Sequence, residues 1–295
     1  DVVGPDDYPR SVVVQDDGKI VISGSASVTT QDMFAARFDE NGVLDASYAT
    51  GGVALVDFAA GSDTATDMLL QPDGRIVLAG SAALAGGTYE YALARLNTDG
   101  TLDNAFGTLG LATTSLGFPF AHGTAVALQS DGSLLMGGQT QTAAPYVDFD
   151  LGLTRFTATG QFDSTYGGDG LVEYQDAGAT NLLDRTVIAV QPDGKTLIAG
   201  TVMDLSGIQK YGIARYTSAG QLDPTFGTAG ILSVKAGDVF GGNAAIAVQP
   251  DGKLLLAHSS FDMITAFDIA ISRYHDDGTP DISFGTDGSV KVDLG

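Results

Sequence analysis

Residues Gln249–Gly288 read QPDGKLLLAHSSFDMITAFDIAISRYHDDGTPDISFGTDG, and a version of this stretch occurs five times in the chain. Its opening Gln recurs as Gln15, Gln71, Gln129, Gln191 and Gln249, at spacings of 56 to 62 residues. An Arg near the middle recurs as Arg37, Arg95, Arg155, Arg215 and Arg273. Eight residues after each Arg stands an Asp: Asp45, Asp103, Asp163, Asp223 and Asp281. Three residues further comes an aromatic: Tyr48, Phe106, Tyr166, Phe226 and Phe284. Self-similarity at a fixed period decides the architecture before any other feature does.

Each copy reads as four strands. In the second, Met68–Gln71 is a short apolar run and Pro72-Asp73-Gly74 is a turn. Pro presets φ at the first turn position, Asp bonds back to the backbone, and Gly takes the left-handed position. Arg75–Gly80 returns as the second strand of a hairpin. Tyr91–Leu96 alternates as a third strand, with Leu93 and Arg95 on one face and Ala92, Ala94 and Leu96 on the other. Leu111–Ser115 is the fourth. The first strands, VVVQ, MLLQ, VALQ, IAVQ and IAVQ, are apolar on both faces, as strands covered on both sides should be.

Four antiparallel strands repeated radially make an all-β propeller. A solenoid would instead want shorter units and capping ends. The chain finishes Leu294-Gly295 and starts Asp1-Val2-Val3-Gly4; joined, these resemble the internal Ala236–Gly241. The expectation is one domain, 1–295, closed as a five-bladed β-propeller with four strands per blade. Its repeats of about 59 residues run 1–57, 58–116, 117–176, 177–236 and 237–295. Five units excised from a longer array are the alternative.

Composition agrees. Of the 36 acidic residues only Glu40, Glu90 and Glu173 are Glu, and Gly numbers 40. Asp and Gly form turns, whereas Glu favours helices. A net charge of −22 excludes nucleic acid as a partner, because phosphate is repelled. The same charge suits cations, so no cofactor is expected but calcium or another cation is compatible with the surface. The absence of Cys excludes disulfides and thiolate metal sites. No apolar run reaches the ~18 residues of a membrane-spanning helix, so no membrane insertion is expected. The chain starts without Met, as a processed protein or an excised domain would.

The motif QPDGKxLxAG…ARY…GxLDxxFGxxG resembles the delta-60 repeat, a bacterial family regarded as propeller-forming and largely without assigned function. Five copies in phase cover nearly the whole chain. The resemblance implies a secreted or cell-surface bacterial protein, and it carries over no catalytic residue. Departures are local: Ala49 stands where the motif has Gly, Pro280 precedes the fifth Asp, and His258 replaces the Gly seen as Gly24, Gly80, Gly138 and Gly200.

The repeated Arg and Asp read as structural pairs, since a catalytic group has no reason to recur five times in phase. No EF-hand spacing, nucleophile elbow, phosphate loop or zinc-type His pair occurs. The turns joining strands one to two and three to four are constant and lie at one end of the blades. The other two connections vary, at the opposite end, and variable loops on a constant scaffold are where binding lives. Asp67, His122, Asp184 and Arg185 are the polar residues expected at the central mouth of that end, with His258 further out. The first reading is a non-catalytic binding or scaffold module that takes a protein or glycan on the variable face. A second is an extracellular, glycosidase-like hydrolase, for which Asp67 and Asp184 would have to stand about 5–9 Å apart. A third is a lectin-like module, weakened by the absence of Trp.

Overall fold

The structure, a computed structural model, describes residues 3–4, 6–27, 30–58, 61–84, 87–114, 116, 120–141, 149–174, 180–181, 186–203, 209–234, 244–262 and 266–292. Among them every regular element is a strand, and no helix is long and apolar enough to cross a membrane. Repeat one forms β1 (Asp7–Val14), β2 (Ile20–Ser27), β3 (Gln31–Phe38) and β4 (Val53–Val56), paired antiparallel in that order. Repeat two forms β5 (Asp63–Leu70), β6 (Ile76–Ala83), β7 (Tyr89–Leu96) and β8 (Leu111–Thr113). Repeat three contributes β9 (Phe120–Leu128), β10 (Leu134–Gln141), β11 (Phe149–Phe156) and β12 (Leu171–Glu173). Repeat four opens with a two-residue strand, β13 (Thr180–Asn181), and continues with β14 (Val187–Val190), β15 (Thr196–Met203), β16 (Gln209–Tyr216) and β17 (Ile231–Val234). Repeat five ends the series with β18 (Ala244–Val248), β19 (Leu254–Asp262), β20 (Ala266–Tyr274) and β21 (Ser289–Val292).

The inner strand of repeat two begins five residues before the apolar run that marks it in the sequence. The reason is a β-bulge between Ala65 and Asp67, beyond which pairing continues to Asp63↔Ala82. Repeat one has the same irregularity between Pro9 and Ser11. In repeat five the ladder runs without a bulge from Ala244↔His258 to Val248↔Leu254.

The chain packs as two compact units, Asp1–Val147 with Thr154–Ser164, and Asp148–Leu153 with Thr165–Gly295. In the first, the two faces of the β6–β7 sheet are both buried. Ile76, Leu78, Ala92 and Ala94 meet Met33, Ala35 and Tyr48 of repeat one. Val77, Ala79 and Leu93 meet Leu134 and Met136 of repeat three. In the second unit Leu197, Ala199 and Ile213 meet Leu254, Leu256 and Tyr274. Strand periodicity of two thus sends alternate residues into two separate cores, and each fully buried aliphatic side chain contributes about 1.5–3 kcal/mol.

The repeated Arg, Asp and aromatic lock each repeat, and in repeats one, two and four the Arg also bonds to the following repeat. Arg37 Nε donates to Asp45 Oδ2 at 2.9 Å, with corresponding bonds Arg95–Asp103 (2.8 Å), Arg155–Asp163 (2.8 Å), Arg215–Asp223 (2.9 Å) and Arg273–Asp281 (2.8 Å). The backbone returns at the same place, Asp45 N donating to the Arg37 carbonyl at 2.9 Å. Hydrogen bonds from Ser47 hold the Asp45 carboxyl well below the usual carboxylate range, and Ser283 does the same for Asp281. The guanidinium lies over the aromatic ring, 4.4 Å away for Arg37 and Tyr48 and 4.5 Å for Arg95 and Phe106.

Beyond its own repeat, Arg37 Nη1 donates to the Thr98 carbonyl and Arg95 Nη1 to the Ala158 carbonyl, each at 2.7 Å. Both acceptors lie in the strand-three-to-four turn of the following repeat. Alongside, Ala49 N donates to Asp99 O, and Gly107 N to Thr159 O. The turn glycines Gly100, Gly160, Gly220 and Gly278 are buried against the aromatic rings of Tyr48, Phe106, Tyr166 and Phe226. Two members of the pattern differ. Gly42, the same turn in repeat one, is exposed, and a Cβ added there would meet nothing within 4 Å, while Phe284 of repeat five is only half-buried.

Candidate functional site

The constant end is occupied by its own motif. A cleft of about 660 Å³ between repeats one and two is lined by Gln15, Lys19, Arg37, Gln71 and Asp99, which are turn and latch residues. Among the described residues, two groups of side chains at the variable end stand outside the repeat motif.

The first group is aromatic. Tyr89 opens β7 and Phe120 opens β9, and the two pair as a single parallel bridge linking the sheets of repeats two and three. His122 follows two residues on, so it shares a face of β9 with Phe120. The three rings stack: Tyr89–His122 at 5.1 Å, Tyr89–Phe120 at 5.6 Å and Phe120–His122 at 6.2 Å, with interplanar angles of 26°, 16° and 10°. Phe120 is 38% exposed. His122 Nδ1 lies 3.4 Å from Ser81 Oγ, which also accepts the Gly123 N–H. Burial lowers the His122 pKa, so the imidazole is neutral at pH 7 and acts as a third ring.

The second group is acidic. Asp32 lies near the start of β3, Asp57 directly follows β4, and Asp63 opens β5. Met33 pairs with Val56, so Asp32 and Asp57 extend one end of the β3–β4 ladder side by side. One oxygen from each of the three carboxylates lies within 4.8 Å of the others. Asp63 is 0% exposed. Its Oδ2 accepts the Phe58 N–H at 2.8 Å, and its Oδ1 has no hydrogen-bond partner. Burial pushes its pKa up to about 6, against the pull of the Phe58 and Ala83 amides and with the negative charges of Asp57 and Asp32 adding to the rise. This is an oxygen-only set able to hold a hard cation.

The residues expected at the mouth fare differently. Asp67 sits at the β5 bulge, where its carboxylate is taken up by the fold. Oδ1 accepts Ser11 Oγ (3.3 Å) and Met68 N (2.8 Å), and Oδ2 accepts Val126 N (3.0 Å). It therefore ties together the inner strands of three repeats. Asp184 and Arg185 lie outside the described residues. His258 is 6% exposed and faces the core of repeat five rather than a surface. Its Nδ1 lies 3.0 Å from the Ser259 carbonyl and its Nε2 3.4 Å from Ser272 Oγ, while Tyr211 covers the ring at 5.2 Å. Burial lowers its pKa. With the Nδ1 proton donated to that carbonyl, it is a satisfied core histidine. Asp32, Asp57, Asp63 and Phe120 escaped the sequence reading. One signal for Asp63 was present: Asp7 and Asp63 both stand eight residues before the repeat Gln.

Repeats of four antiparallel strands, each closed by its own Arg–Asp latch, define a β-propeller repeat protein. Four of the repeats match the model of the domain of unknown function (DUF5122) beta-propeller family, over residues 15–48, 71–106, 191–226 and 249–284. A comparison with curated proteins finds no significant match. Among solved structures, a protein of unknown function from Dyadobacter fermentans DSM 18053 is similar over 100% of this chain and 85% of its own, with a TM-score of 0.57 at 13% identity. A polysaccharide lyase, the PL25 ulvan lyase bound to -[GlcA(1-4)Rha3S]-, is similar over 92% of this chain and 67% of its own, with a TM-score of 0.54 at 10% identity. Likeness at such identities concerns the fold alone.

Proposed function

We propose that this chain is a non-catalytic binding module of a secreted or surface-attached bacterial protein, holding a glycan or protein at its variable end. The observation that carries this reading is the Tyr89–His122–Phe120 stack. Rings ordered by one another lose little entropy on binding, and their exposed edge offers apolar surface at a position the repeat does not need. A hydrolase would need a free pair of carboxylates, and hydrogen bonds to three repeats already engage Asp67.

The test is a glycan array and a pull-down, each run with the parent and with Phe120→Ala and Tyr89→Ala. The expected result is a bound ligand whose affinity falls at least about tenfold in either variant, the effect of removing an aromatic anchor. A parent that binds nothing, or variants that bind equally well, would make the module a structural spacer.

The same reading takes residues 1–295 as one domain, a ring of five blades. Supporting it, repeat five offers a guanidinium and a half-buried Phe284, and repeat one offers an exposed Gly42 turn, the two halves of the joint found between other repeats. Spin labels on Asn41→Cys and Thr286→Cys, in a chain without other Cys, should give a distance as short as labels on Thr50→Cys and Asp99→Cys. A long distance, or one that shortens only as protein concentration rises, overturns the ring.

A further inference from the structure

We propose that Asp32, Asp57 and Asp63 form a binding site for a hard divalent cation, calcium by its chemistry, at the variable end of the seam between repeats one and two. Three carboxylate oxygens within 4.8 Å of one another match what one ion can bridge with two Ca–O bonds of about 2.4 Å. Asp57 is exposed, which leaves room for the waters that complete a calcium shell.

An acidic cluster alone would not carry this. The second observation is Asp63 itself: its side chain has no solvent contact, its Oδ1 has no hydrogen-bond partner, and the other two members of the triad are also carboxylates. A buried, unpaired polar atom is costly, and an ionised one far more so. A cation removes both the lost solvation and the repulsion.

The site is not a by-product of the repeat. Position by position, the seam between repeats two and three has Glu90, Ser115 and Ala121 where the first seam has Asp32, Asp57 and Asp63. The seam between repeats four and five has Lys210, Lys235 and Gly241. The latch is built without these acids, so the fold does not require the triad. Three Asp recur in that register only as Asp268, Asp293 and Asp7, so the test counts ions lost rather than ions bound.

The experiment is calorimetric titration of chelator-treated protein with calcium chloride, with melting followed in parallel. The parent should bind calcium and melt higher with it. Asp63→Asn and Asp57→Asn, which keep the side-chain shape, should each lose one equivalent of calcium or weaken it at least tenfold. Without calcium, Asp63→Asn should melt at or above the parent, because it deletes a buried charge. Asp57→Asn changes an exposed residue and keeps the measurement valid should Asp63→Asn fold poorly. The proposal is overturned if the parent binds no calcium, or if both variants bind as much of it, as tightly, as the parent.

Discussion

Arg215→Ala is expected to lower the free energy of unfolding by about 3–5 kcal/mol, the cost of breaking a buried ion pair from one side. Arg215 is 1% exposed, one of the largest fully buried side chains in the molecule. Its Nε holds Asp223 at 2.9 Å, its Nη2 meets Thr225 Oγ1 at 3.1 Å, and its Nη1 donates to the Asp276 carbonyl of repeat five. The guanidinium plane lies 4.8 Å over Phe226. Alanine removes all of these, leaves the buried Asp223 carboxylate with Lys195 at 3.2 Å as its one remaining cation and Thr225 on its other oxygen, and opens a cavity beside Phe226. Arg215→Lys should rescue little, because a point charge cannot reach two acceptors and cover a ring at once. Arg273→Ala is the control. It carries the same intrarepeat bond, but its side chain is 20% exposed and no acceptor from a following repeat meets it among the described residues, so its loss should be clearly smaller. Urea denaturation of the three variants decides the matter. Equal losses for Arg215→Ala and Arg273→Ala would show that the contact between repeats contributes nothing.

The repeated pattern made most of this legible from sequence. A Gln, an Arg, an Asp eight residues later and an aromatic three beyond define a turn that must return to its own strand, as the Asp45 amide does to the Arg37 carbonyl. What periodicity could not show is which neighbour each side chain meets. The bond from Arg37 to Thr98 spans 61 residues, and in a repeat every such position looks the same as its counterpart at home. Sites were harder still. Asp67 reads as a free acid on a strand, yet a bulge turns it inward towards Val126. His258 reads as an intruder, yet Tyr211 and Ser272 enclose it. Asp63 drew no notice in the sequence: an acid opening a strand looks ordinary there, and only its burial makes it conspicuous. Phe120 and His122 lie in the variable segment, where nothing in one sequence fixes that their rings meet Tyr89.

Gly80→Ala should destabilise the protein by about 3 kcal/mol or more, beyond ordinary overpacking, whereas Gly200→Ala should cost distinctly less. The two glycines occupy the same repeat position but face different neighbours. A Cβ on Gly80 would fall inside the Thr64 carbonyl and within 3.0 Å of Ala65 Cα, all of it backbone at the β5 bulge. Gly24 faces the bulged backbone of Tyr8 and Pro9 in the same way. Backbone cannot step aside without unmaking the ladder, and here the ladder also aims Asp67 at Ser11 and Val126. At Gly200 the nearest atoms are the Leu151 methyls, at 2.8 and 3.2 Å, which can rotate away. The logic extends to His258. In repeat five the described ladder, which begins at Ala244↔His258, has no bulge, and there the position accepts an imidazole. The glycine is therefore a requirement of the bulge rather than of the repeat. Thermal unfolding of Gly80→Ala and Gly200→Ala measures the difference. If the two melt alike, the bulge yields to a methyl group, and the His258 substitution needs another cause.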